Sequence, residues 1–140
     1  MGIDFTSDHG QRVLQELDQE HVVWLTTIGG SSNTPQPNLV WYLYQDGDVV
    51  VYTKPDAVRL TNIAKNPRVS LNFDSKENGE QMTVLTGTAM VDPAIPAIIN
   101  NPAYLEKYDE GITFIGLTHE SMSETYSVPI RIRLEHMRGW

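Results

Sequence analysis

Thr53, Lys54, Arg59 and Asn62 bring a hydroxyl, an ammonium, a guanidinium and an amide close together in the chain. Such groups hold a phosphate well, because charged donors make the stronger hydrogen bonds to its oxygens. The stretch that carries them, VVVYTKPDAVRLTNIAKNPRVS from Val49 to Ser70, reads as strand, loop, one-helix crossover and strand. The apolar run ends at Thr53-Lys54, Pro55-Asp56 break it, Val58, Ile63 and Ala64 mark a short helix, and Asn66-Pro67 stop it. A helix start there adds unpaired backbone N–H groups and partial positive charge. The same residues also describe an ordinary crossover with a solvated basic face, and local chemistry alone leaves both readings open.

The distribution of charge favours the phosphate reading. The chain carries a net charge of −8, yet residues 54–68 hold Lys54, Arg59, Lys65 and Arg68 against Asp56 alone. Residues 1–53 have Arg12 as their sole base against seven acids. A basic island on an acidic chain suits a small anion and not a nucleic-acid track, so no nucleic-acid partner is expected.

Other chemistry has little support. The absence of cysteine excludes disulfides, thiolate metal sites and cysteine nucleophiles. His9, His21, His119 and His136 lack metal-ligand spacing, no Gly-x-Ser-x-Gly elbow occurs, and Asp109-Glu110 and Glu120/Glu124 read as solvated helix charges. No apolar run approaches a membrane span and Met1–Asp8 lacks the character of a signal peptide, so a soluble, cytoplasmic protein without a membrane partner is expected.

The 140 residues read as one domain. Thr6-Ser7-Asp8 can cap a helix buried through Val13, Leu14 and Leu17. Strands are expected at 21–28, 37–44, 49–52, 68–73, 82–91 and 128–137, with a turn at Gly29–Asn33 and a hairpin at Asp46-Gly47 that pairs the second strand with the third. Gly87 inside the fifth strand signals a bulge or sharp bend. Between Asp92 and Glu110, Pro93, Pro96 and Pro102 interrupt an apolar helical pattern, predicting two short helices, with another over 117–126. Six strands with short turns and one crossover helix predict a small, mainly antiparallel β-barrel.

In that order, Val23–Thr27, Pro37 with Val40-Trp41-Tyr42, Asp46-Gly47-Asp48, Thr53-Lys54, Arg59 through Asn62-Ile63 to Asn66-Pro67-Arg68-Val69, and Gly87-Thr88-Ala89 resemble the pyridoxamine-phosphate-oxidase-like family of flavin- and deazaflavin-binding split barrels. The likeness covers most of residues 10–92 and weakens in the insertion that follows. Within the family the chain looks most like the short branch assigned to coenzyme F420, with FMN as the competing cofactor. The resemblance implies a six-stranded split barrel, a homodimer with cofactor sites at its interface, and cofactor phosphate held by the crossover loop. It assigns Thr53, Lys54, Pro55, Arg59 and Asn62 to the phosphate region, and Thr26, Thr27, Pro37, Val40 and Trp41 to the ring region. Arg59 stands where many relatives have lysine; it keeps the charge and adds a planar fork with a different reach.

The resulting expectation is an F420H2-dependent reductase acting on a small unsaturated organic substrate. An FMN-binding flavoprotein of the same fold and a non-catalytic F420 carrier are the alternatives. No catalytic side chain is assigned, since the cofactor carries the hydride. Dimerisation is also expected from size, with Trp24, Trp41, Tyr42 and Tyr44 available for burial and Arg131 or Arg133 placed to reach a partner's cofactor.

Overall fold

Seven antiparallel strands form a single sheet: β1 Val22–Ile28, β2 Pro35–Trp41, β3 Leu43–Gln45, β4 Asp48–Thr53, β5 Arg68–Asn72, β6 Thr83–Val91 and β7 Val128–Gly139. They lie in the order β2-β1-β5-β6-β7-β4-β3 in a computed structural model that describes residues 2–140. The two edge strands, β2 and β3, are consecutive in the chain and joined through Tyr42 alone, so the sheet curls into a barrel split at that residue. The single expected strand over 37–44 is therefore two. Its first part pairs with β1 (Val40 opposite Val23), and only its second part pairs with β4 (Leu43 opposite Val50).

The break arises because Tyr42 is held from elsewhere. Its N–H donates to the Tyr108 hydroxyl at 2.9 Å, and its carbonyl accepts from Lys107 Nζ at 3.1 Å. Its own hydroxyl lies 2.8 Å from the Leu17 carbonyl and 3.0 Å from that of Glu16. Leaving both ladders thus costs its backbone no hydrogen bond.

Local signals set the other corners. Asp46 and Gly47 both take positive φ, 54° and 84°, the geometry of a tight hairpin turn. At Gly87 the β6–β7 register slips, and a Cβ there would sit 1.9 Å from the Arg133 carbonyl oxygen, so only glycine fits the bulge.

Helix α1, Asp8–Gln19, is capped by the Ser7 hydroxyl, which accepts from the Gly10 N–H at 3.0 Å, and it buries Val13 and Leu17 in the barrel core. Helix α2, Val58–Lys65, is the crossover. The insertion departs from expectation. In place of two short helices, a 3-10 turn at Ile98–Asn100 leads into one helix, α3, Pro102–Phe114. Pro102 starts that helix, because its missing N–H falls among donors that no helix satisfies internally. Helix α4, His119–Thr125, follows, capped by Thr118.

The insertion makes a second core. Along β4, Val49 and Val51 point into the barrel, while Val50 and Tyr52 pack with Tyr104, Tyr108, Ile112 and Met122 of α3 and α4. Consecutive strand residues face opposite sides, so a strand covered on both faces reads as the continuous apolar run that β4 shows. By this packing α3 and α4 are fixed against the end of β4, where the crossover loop begins.

Candidate cofactor-binding site

Between the β4 end, α2 and the insertion lies a cleft of about 350 Å³, lined by Val40, Trp41, Tyr52, Arg59, Tyr104 and Tyr126, with Leu39 and Ile115 at its rim. Arg59 comes from the first turn of α2 and donates through Nη1 to the buried Thr53 hydroxyl at 3.2 Å. Burial pulls its guanidinium below the ordinary arginine value, and the neighbouring Tyr126 phenol opposes that pull. Lys54 is exposed, with Nζ 5.5 Å from the centre of the ring of Tyr126, a residue of the cleft wall. The ion pairs among the described residues are His119–Asp109, Arg131–Asp48 and Arg131–Asp92, so neither Arg59 nor Lys54 has a carboxylate partner there. Ala57, the N-cap of α2, offers its helix no side-chain acceptor. A half-buried guanidinium, a lysine and an uncapped helix start around one loop fit an anionic group such as a phosphate.

Asn62 has a different task. It is almost fully buried, its Nδ2 donates to Thr27 Oγ1 at 3.0 Å and Gln36 Oε1 at 2.8 Å, and its Oδ1 accepts from the Gly30 N–H at 3.1 Å. Both amide hydrogens are used, so Asn62 braces α2 against the β1–β2 turn. Thr27 is the buried end of that brace.

The residues assigned to the ring region divide between places. Val40 and Trp41 line the cleft, and Trp41 stacks on Tyr108 with ring centres 4.6 Å apart and planes within 4°. Thr26 points to the opposite, outer face of the sheet, in a separate hollow with Ser70, Thr86 and His136. Pro37 is exposed opposite Thr26 on β2, and Pro55 is exposed in the crossover loop.

Two expectations about a partner need correction. Tyr42 is fully buried in the barrel and has no surface to offer a second copy. Arg131 is held by Asp92 at 2.7 Å and Asp48 at 3.0 Å, which raise its pKa and neutralise its charge locally. Arg133 and Arg138 remain exposed.

Sequence reasoning missed Tyr52, Tyr104, Met122 and Tyr126, the walls of the cleft. Tyr104 and Tyr108, four residues apart, gave a signal, but it matched that of any helix face that packs on a core.

The sequence matches the pyridoxamine 5'-phosphate oxidase family over residues 10–138, and the chain belongs to that family. No curated protein matches it. Solved structures share the fold at low identity. A conserved hypothetical protein from Mycobacterium tuberculosis is 18% identical with a TM-score of 0.73, covering 100% of this chain and 89% of that one. An F420 reductase is 21% identical with a TM-score of 0.67, covering 89% of this chain and 94% of that one. An FAD-binding protein from Mesorhizobium loti is 18% identical with a TM-score of 0.65, covering 92% and 91%. These neighbours share the split-barrel fold of this chain.

Proposed function

We propose that this chain is a cytoplasmic F420H2-dependent reductase that acts as a homodimer on a small unsaturated organic substrate. The observation that carries the reading is the Arg59 site: a half-buried guanidinium, unpaired with any carboxylate among the described residues, lining an aromatic-walled cleft. In this reading Arg59 and Lys54 hold the cofactor's phosphate and Thr53 keeps the Arg59 fork in place. Val40 and Trp41 give the ring an apolar wall and keep water from that side. The deazaflavin supplies the hydride when bound, so the chain's work is to bind, orient and shield. The likeness to an F420 reductase supports this choice.

Dimerisation is supported by exposed apolar surface in two places. Leu39 and Ile115 stand 50% and 51% exposed at the cleft rim, and Met90 and Val91 stand 52% and 47% exposed beside a hollow floored by Leu60, Ile63 and Ala64. A second copy across the rim would complete the cleft and bury the first pair.

The test is the absorption spectrum of the protein mixed with F420 or FMN, followed by gel filtration. F420 should co-elute and bind more tightly than FMN, with affinity falling as salt rises because its tail is anionic. Tight FMN binding without F420 binding would overturn the cofactor assignment. F420 binding without turnover of any unsaturated acceptor would favour a carrier.

A further inference from the structure

On the other side of Trp41, two open clefts of about 360 and 470 Å³ adjoin one another and share His21, Glu106 and Lys107. Neither has a part in the cofactor reading. Lys107 differs from the chain's other lysines: Lys54, Lys65 and Lys76 are exposed, whereas Lys107 is half-buried on an aromatic floor. Its Nζ stands 3.8 Å from the centre of the Tyr42 ring and 5.3 Å from that of Tyr108, and it donates to the Tyr42 carbonyl at 3.1 Å.

This geometry fixes how the amine presents itself when neutral. One N–H stays on the Tyr42 carbonyl, and the second lies best over the electron-rich face of the Tyr42 ring. A lone pair aimed at that face would be repelled, so it takes the remaining tetrahedral direction, away from the ring and into the clefts. Burial lowers the Lys107 pKa to about 8, against the pull of Asp18 and Glu20. Near pH 7, roughly a tenth of Lys107 is then free amine, against less than about one in a thousand for an exposed lysine.

We propose that Lys107 is an imine-forming site for small, uncharged aldehydes or ketones that enter through the clefts lined by His21 and Glu106. The nitrogen lone pair attacks the carbonyl carbon, and the carbonyl π electrons move to oxygen, which takes up a proton. The resulting carbinolamine loses water as the carbon–nitrogen double bond forms. From lysine ammonium and aldehyde the products are an iminium ion and water, so charge and atoms balance and no oxidant is involved.

The surroundings favour that product. The iminium keeps the positive charge, and with it the attraction of the Tyr42 face and of Asp18 and Glu20. Transfer of an acyl group would discharge the nitrogen and forfeit both. Asp18, Glu106, Asp109 and Glu110 line the clefts with negative charge, which discriminates against anionic carbonyl compounds such as keto acids.

The test incubates the intact protein at pH 7 with propanal and sodium cyanoborohydride, which reduces an iminium to a stable secondary amine. Site-resolved mass spectrometry then gives the rate at each lysine, and glyoxylate serves as the anionic comparison. Propanal should label Lys107 about tenfold or more faster than Lys54, Lys65 or Lys76, with the lead shrinking toward pH 10, where roughly a quarter of each exposed lysine is already free amine. Glyoxylate should lose most of that lead, and Lys107→Arg should remove the fast label altogether. Labelling of Lys107 no faster than the exposed lysines by propanal would overturn the site; an equal lead with glyoxylate would overturn its preference for uncharged compounds.

Discussion

Replacing Asn62 by alanine tests whether this side chain is a brace or an anion ligand. The substitution removes three hydrogen bonds whose surviving partners differ in their access to water. Gln36 is half-buried and can turn toward solvent, so its loss is small, about 0.5 kcal/mol. The Gly30 N–H is half-buried and loses about 1 kcal/mol. The Thr27 hydroxyl is 1% exposed and is left without that donor, at about 1–2 kcal/mol. Together these give roughly 3 kcal/mol, a fall in Tm on the order of 10 °C for a chain of this length. Urea unfolding of the ligand-free protein measures it, and a double-mutant cycle with Thr27→Val isolates the buried pair, with an expected coupling of about 1 kcal/mol. A loss below about 1 kcal/mol in ligand-free protein, together with a large loss of cofactor affinity, would refute the bracing argument and return Asn62 to the phosphate.

Lys54→Ala and Arg59→Ala should each weaken F420 binding by about 1–3 kcal/mol in a fluorescence titration while leaving the fold intact; unchanged affinity in both would make the crossover an ordinary basic face. Stability should rise with pH from about 8, because native Lys107 deprotonates near there while the unfolded lysine holds its proton to about 10.5. The rise should then reverse above about 10, where unfolded tyrosines ionise and the buried Tyr42, Tyr104 and Tyr108 do not. Urea unfolding across this range should show the rise in the parent protein and not in Lys107→Met. Light scattering at micromolar concentration should give the mass of a dimer; a monomer that binds cofactor with full affinity would rule out a cleft completed by a second copy.

What could be read from the sequence follows from how local each feature's cause is. The Ser7 cap, the Asp46-Gly47 turn, the crossover helix and the Gly87 bulge depend on a few neighbouring residues, and each was legible. The split at Tyr42 depends on Tyr108 and Lys107, more than sixty residues further along, and nothing in PNLVWYLY marks it. The same distance hid the site's walls. Thr53, Lys54 and Arg59 are visible as a cluster because they are close in the chain, whereas Tyr104 and Tyr126 face the cleft only because α3 and α4 dock on the outer side of β4. Trp41 joins the two cases. It is the last residue of β2 before the break, and it lies flat on Tyr108, the residue whose hydroxyl holds Tyr42 out of the ladder. One side chain of α3 therefore both holds the barrel's split and orients the aromatic wall of the candidate site. The position of that wall is thereby tied to the packing of the insertion.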